Sequence, residues 1–267
     1  MTILEEIIRY KFSEVEKAKK QIRIDDLIES AKNAKPTHRL IDQLISDSDF
    51  HFICEVKKAS PSKGIIQPDF NPVRQARMYE HGGASAVSVL TDEKYFMGHL
   101  SYLGQIKSEV NLPLLRKDFI IDEYQIYQSR AFGADLILLI ARVLEKNQIS
   151  EYCKLAEDLG LDVLIELAEP EEIDKLPEKA NNVILGVNNR DLHTFDVDLK
   201  RSLKMRKLLP NYFPLISESG INSVADCRLL KDNGFRGALI GETLMRAENP
   251  EELLKEMKHG VADVFKT

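Results

Sequence analysis

The chain has 267 residues, 43% of them hydrophobic and 30% charged, and a formal net charge of −6. That length accommodates one large domain or two ordinary ones, the apolar fraction is enough for a sizeable core, and the acidic balance argues against a nucleic-acid partner. Three cysteines, Cys54, Cys153 and Cys227, lie far apart in or beside apolar runs, so buried thiols in a reducing compartment are expected rather than disulfides.

No apolar stretch approaches the length of a membrane span and the N-terminus has no signal-peptide pattern, so a cytoplasmic protein that meets no membrane is expected. Residues 2–49 read as helical, with Ile3, Leu4, Ile7, Ile8 and Phe12 forming an apolar stripe and Thr2 with Glu5 a capping box. Glu5, Glu6, Glu14 and Glu16 mix the charge among the lysines, which favours a helix packed on the domain over one lying on a membrane surface.

From Phe52 onward, short β-branched or leucine-rich runs alternate with segments of helical period in eight cycles, each the size of a βα unit. Strands are expected at 52–56, 86–90, 113–115, 135–140, 163–167, 183–187, 214–216 and 238–240. Helices are expected at 72–81, 122–132, 146–159, 169–176 and 224–233, and turns at Gly83, Gly133, Gly160 and Gly234 mark returns to a strand. Eight such units predict an α/β fold, a (β/α)8 TIM barrel over 50–267 with a helical extension over 1–49. A doubly wound open sheet is the alternative. It would normally carry a glycine fingerprint after its first strand, where this chain has Lys57-Lys58-Ala59-Ser60.

In a barrel the C-terminal strand ends form the active mouth, and here they are polar. The first strand ends in Glu55 and Lys57, two residues apart and so on one face of the pleat. Taken alone this is equally an ion pair closing a strand end or a functional pair. The third strand ends in Arg116-Lys117-Asp118-Phe119, the fifth in Glu166, the sixth in Asn188-Asn189-Arg190-Asp191, the seventh in Ser217-Glu218-Ser219-Gly220 and the eighth in Gly241-Glu242. Each alone has a dull explanation, such as a lysine reaching solvent, a glutamate capping a helix or turn-forming asparagines. Their convergence on one end suits an anionic substrate that needs proton transfers. Gly220 and Gly241 leave backbone N–H groups open at the two loops where such barrels commonly hold a phosphate; simple turn formation is the other reading. Six histidines, His38, His51, His81, His99, His193 and His259, show no metal-ligand spacing, most are expected at surface or loop positions, and no Ser-His-Asp pattern stands out.

The run Glu55-Val56-Lys57-Lys58-Ala59-Ser60-Pro61-Ser62-Lys63-Gly64 resembles the signature of the indole-3-glycerol phosphate synthase family. The resemblance spans the chain through Leu115-Arg116-Lys117-Asp118-Phe119, Leu164-Ile165-Glu166, Gly186-Val187-Asn188-Asn189-Arg190-Asp191-Leu192, Ser217-Glu218-Ser219-Gly220-Ile221 and Ile240-Gly241-Glu242-Thr243-Leu244-Met245. It implies a lyase of tryptophan biosynthesis that closes 1-(2-carboxyphenylamino)-1-deoxyribulose 5-phosphate to indole-3-glycerol phosphate, releasing carbon dioxide and water without a cofactor or metal. By the same resemblance, Lys117 is the general acid, Glu166 assists dehydration, and Lys57 beside Glu55 holds substrate and shares the proton work. Asn188, Arg190 and Ser60 surround the anthranilate carboxylate, Phe119 faces the ring, Glu218 and Ser219 complete the polar floor, and Gly220 and Gly241 belong to the phosphate loops.

At the position after the last glycine, where the family often carries a small hydroxyl residue, stands Glu242. Its carboxylate repels a phosphate, so a backbone contact with the side chain turned outward is the compatible arrangement. The chain has no tryptophan, which leaves Tyr10 or Phe12 to supply any aromatic contact from the N-terminal helix. The rivals are a phosphoribosylanthranilate isomerase, which would rely on a cysteine and aspartate pair, and a noncatalytic phosphosugar-binding barrel, which would need no general acid.

Overall fold

The computed structural model describes residues 2–191 and 194–262, so that Leu192 and His193 of the expected motifs lie outside the described residues. Three helices precede the first strand: α1 (Ile3–Gln21), α2 (Ile24–Asn33) and α3 (Leu40–Ser46). The capping box forms as expected, with Thr2 accepting from the Glu5 N–H and Glu5 accepting from the Thr2 N–H. The segment is not one continuous helix. Ile22 and Arg23 are extended, and Pro36 lies within 34–39, where the chain cannot continue in α geometry.

The barrel strands are β1 (His51–Val56), β2 (Ala86–Leu90), β3 (Leu114–Lys117), β4 (Leu136–Ile140), β5 (Asp162–Leu167), β6 (Val183–Asn188), β7 (Leu215–Glu218) and β8 (Gly237–Ile240). All pair in parallel and close in the order β1-β8-β7-β6-β5-β4-β3-β2. β3 and β7 run two residues further than their apolar runs suggest, because Lys117 and Glu218 continue the ladder into the mouth. The outer helices are α4 (Pro72–Gly82), α5 (Glu93–Phe96), α6 (Ser101–Lys107), α7 (Glu123–Ala131), α8 (Lys146–Asp158), α9 (Lys200–Arg206), α10 (Val224–Asp232), α11 (Glu242–Arg246) and α12 (Pro250–Val261). Gly83, Gly133, Gly160 and Gly234 all sit at positive φ, which is why the chain uses glycine where a helix turns back to a strand.

The helix expected at 169–176 is instead a 3-10 segment, Pro170–Lys175. Pro170 and Pro177 confine it to a length too short for a stable α-helix, and Glu172 turns back to accept from the Ala168 and Glu169 N–H groups.

Strand parity sorts the side chains. Ile53, Leu115, Leu164, Ile184, Ile216 and Leu239 face the barrel axis and form its inner core, which Leu40, Ile41 and Leu44 of α3 close at the N-terminal end. One pleat nearer the mouth, the same parity turns Glu55, Lys117, Glu166, Gly186 and Glu218 inward. Cys54, Cys153 and Cys227 are buried free thiols of the outer core between strands and helices. Among the described residues, no helix is long and apolar enough to cross a membrane.

Candidate active site

A cavity of about 730 Å³ opens at the C-terminal end of the barrel. Its lining includes every candidate from the sequence: Glu55, Lys57, Ser60, Lys117, Phe119, Glu166, Asn188, Arg190, Glu218, Ser219, Gly220, Gly241 and Glu242. Lys117 occupies the centre. Its Nζ donates to Glu166 Oε2 at 3.0 Å and lies 3.5 Å from Glu218 Oε2. Burial pulls the pKa of this ammonium down, but the acidic side chains of Glu166, Glu218 and Glu55 outweigh burial and hold it well above the ordinary value.

Its sequence neighbours face outward, as parity requires. Arg116 and Asp118 pair at 3.1 Å beneath the surface, and Asp118 accepts from the Thr91 hydroxyl at 2.6 Å. The backbone on both sides of Lys117 is thereby fixed.

Lys57 Nζ donates to Glu55 Oε1, so the ion pair read from β1 exists and also faces the cavity. Burial would raise the Glu55 carboxyl, yet the Lys57 and Lys117 cations keep it below the usual range. Asn188 Nδ2 donates to Glu166 Oε1 at 3.2 Å, while its Oδ1 accepts from the Arg190 N–H at 3.0 Å. Ser219 adopts a left-handed backbone (φ 67°), which a buried neighbour stabilises: Asn189 Nδ2 donates to the carbonyls of Glu218 and Ser219, each at 3.0 Å.

Glu218 is 2% exposed, and its Oε1 has no hydrogen-bond partner among the described residues. Burial, aided by Glu166 and Glu55, pushes this carboxyl up to about 8 against the pull of Lys117. It therefore holds a proton at neutral pH.

The structure revises several expectations. Glu242 is not turned outward: it lines the cavity, accepting from Arg246 Nε at 3.0 Å with Lys63 at 3.7 Å and Arg190 at 4.0 Å. These cations offset the charge that would otherwise face an anion. Neither Tyr10 nor Phe12 reaches the cavity. Tyr10 packs edge-on against Tyr95, and Phe12 is 58% exposed beside a separate groove. The N-terminal helix contributes Ile3, Leu4 and Ile7 instead, and the short helix α5 contributes Phe96, whose ring lies 6.1 Å from that of Phe119. The apolar stripe of α1 was visible in the sequence, but nothing there separates a core-packing stripe from a cavity wall. His51 is buried rather than superficial; it bridges Ser85 and Asp47 at the opposite end of the barrel, away from both cavities. Among the described residues, no group of three or more His, Cys, Asp or Glu is arranged to hold a metal ion.

A family model described as indole-3-glycerol phosphate synthase matches residues 4–257. The chain is 42% identical to the indole-3-glycerol phosphate synthase of Alkaliphilus metalliredigens over 98% of its own length and 100% of that protein. It is 44% identical to that of Desulfotalea psychrophila over 96% of its length and 98% of the relative's. Among solved structures, 3-hexulose-6-phosphate synthase from Salmonella typhimurium superposes with a TM-score of 0.63 at 13% identity, covering 79% of this chain and 98% of that one. At that identity the likeness concerns the fold alone.

Proposed function

The chain belongs to the indole-3-glycerol phosphate synthase family, and from that premise we propose a division of labour among the residues around the cavity. The enzyme is a carboxy-lyase of tryptophan biosynthesis that closes 1-(2-carboxyphenylamino)-1-deoxyribulose 5-phosphate to indole-3-glycerol phosphate. Lys117 is the general acid. It sits at the centre of the cavity, keeps its proton against the neighbouring carboxylates, and gives it up as the far more basic alkoxide develops on the ketone oxygen under attack by the ring carbon. Loss of carbon dioxide then restores the aromatic ring. Glu166, bonded to both Lys117 and Asn188, takes part in the dehydration that follows.

Lys57, neutralised by Glu55, holds the substrate from the other side of the mouth. Ser60, Asn188 and Arg190 receive the anthranilate carboxylate, while Phe119, Phe96, Ile3, Leu4 and Ile7 provide an apolar wall for its ring. The N–H groups at Gly220 and Gly241 receive the phosphate. Each step is a carbon–carbon bond formation, a proton transfer or a bond cleavage, chemistry that needs no cofactor. The isomerase reading loses support because burial pushes the Cys153 and Cys227 thiols up to about 12, and none of the three cysteines lines the cavity.

The observation that carries this reading is the Lys117 ammonium held between Glu166 and Glu218 inside the cavity. Purified protein, assayed with chelator present, is expected to convert the substrate to a product with indole fluorescence. A requirement for added metal would refute the proposed chemistry.

A further inference from the structure

Gly186 lies in the middle of β6, a position where glycine weakens a strand unless something needs the space. Its φ is not in the left-handed region, so backbone conformation does not call for glycine. The requirement is steric. A Cβ built at Gly186 would collide with Glu218 Oε1 and lie 3.2 Å from Leu164 Cδ1. The ladder explains the geometry: Glu218 is in register with Asn188 on the neighbouring strand, and Gly186 is the next inward-facing position below. The Glu218 side chain leans back by one pleat into the space that Gly186 leaves. On its other side, Gly186 is in register with Glu166.

We propose that Gly186 is a positioning residue, and that its missing side chain is the recess that holds the Glu218 carboxyl beneath Lys117 and out of water. The inference rests on the proposed role of Lys117 as general acid, because Glu218 lies 3.5 Å from its ammonium and shares its proton-transfer site. The charged groups that face Glu218 are Lys117 from β3, 3.5 Å away, Glu166 from β5 and Glu55 from β1. The recess keeps Oε1 dry and unpartnered, so burial dominates and the carboxyl stays protonated up to about pH 8. Any side chain at 186 would drive the carboxyl up toward the open mouth, where water and the Lys117 ammonium favour its anion. The anion would then repel the two negative groups of the substrate.

The test compares Gly186→Ala, Glu218→Gln, Glu218→Ala and Gly186→Ala/Glu218→Ala with the parent enzyme, reading kcat/KM against pH and thermal stability. The parent is expected to lose kcat/KM above about pH 8, and Glu218→Gln to abolish that limb. Gly186→Ala should lower kcat/KM at pH 7.5 by roughly 10- to 100-fold and move the limb to lower pH, the scale expected for a displaced proton-transfer group. In the Glu218→Ala background the recess is already empty, so Gly186→Ala should change stability and residual turnover less than about twofold. This arm also serves if Gly186→Ala alone does not fold. An unshifted limb in Gly186→Ala beside an altered Glu218→Gln enzyme overturns the role of Gly186 alone. Equal damage from Gly186→Ala with and without Glu218 also overturns it, by assigning the space to packing against Leu164. Parent-like turnover and pH profile in Glu218→Gln overturn the proposal together with the role of Glu218.

Discussion

Lys11 is 0% exposed, and its ammonium joins helix α1 to the ends of two barrel strands. Nζ lies 2.8 Å from Asp92 Oδ2, 2.9 Å from Asp118 Oδ1 and 3.0 Å from Glu14 Oε1. Lys11→Met keeps the volume and deletes the charge. Glu14 can then turn toward solvent and Asp118 retains Arg116 and Thr91, but the Asp92 carboxylate is left buried with, among the described residues, only the Tyr95 N–H. Removing one partner of a buried ion pair typically costs about 3–5 kcal/mol, and the surviving partners of Asp118 place this case near the lower end. At roughly 2–4 °C per kcal/mol for a chain of this size, the melting temperature should fall by about 6–12 °C.

The pH dependence has a definite sign. Although burial alone would raise it, Lys11 and Arg116 hold the Asp118 carboxyl far below its ordinary value, so this stabilisation is present at neutral pH and fades as pH falls. The deficit of Lys11→Met should therefore be undiminished at pH 7.5 and shrink at pH 3, below the ordinary aspartate value of about 3.9. Lys11 also shares a helix face with Ile3, Leu4 and Ile7 on the cavity wall, so KM should rise while kcat changes less than about threefold. Thermal unfolding followed by circular dichroism at the two pH values, with steady-state kinetics, measures all three effects. A melting temperature within 2 °C of the parent (about a third of the smallest expected shift), or a deficit that grows in acid, would refute the reasoning.

Lys117→Met should depress turnover by about 10²-fold or more with ground-state affinity largely retained, measured by single-turnover kinetics and ligand titration; near-normal turnover would shift the acid role to Lys57. A Cβ at Gly241 meets the Glu55 carboxylate and lies 3.0 Å from Lys57 Nζ, so Gly241→Val should raise KM and also lower kcat, whereas a change in KM alone would place the Glu55–Lys57 pair outside the chemistry. Glu218→Gln should raise the melting temperature at pH 9. The folded-state pKa of about 8 lies above the unfolded value of 4.5, so the carboxyl's contribution is full below the unfolded value, is lost as pH rises to about 8, and leaves the whole burial penalty in place at pH 9. An unchanged or lower melting temperature at that pH counts against the buried, proton-bearing Glu218.

Much of the barrel and its mouth is legible in the sequence because both follow from short-range rules. Period-2 alternation dictates that Glu55 and Lys57 share a face and that Lys117 points away from Arg116 and Asp118, and the strand pairing preserves that parity around the ring. The glycines that end outer helices are equally local, since a left-handed residue closes the helix whatever lies beyond it. Tertiary structure alone decides that Lys11 is buried, because Asp92 and Asp118 come from the ends of two strands distant in the chain. It also decides that Ile3, Leu4 and Ile7 are cavity wall while Phe12 of the same stripe meets solvent, since the boundary depends on where α1 crosses the rim. In the same way, Gly186 and Glu218 become one unit only when β6 and β7 pair, and the protonation of that carboxyl is a property of the enclosed space between them. Local rules set the direction in which a side chain leaves its strand; which distant groups surround it, and how much water they exclude, follows from closing the barrel.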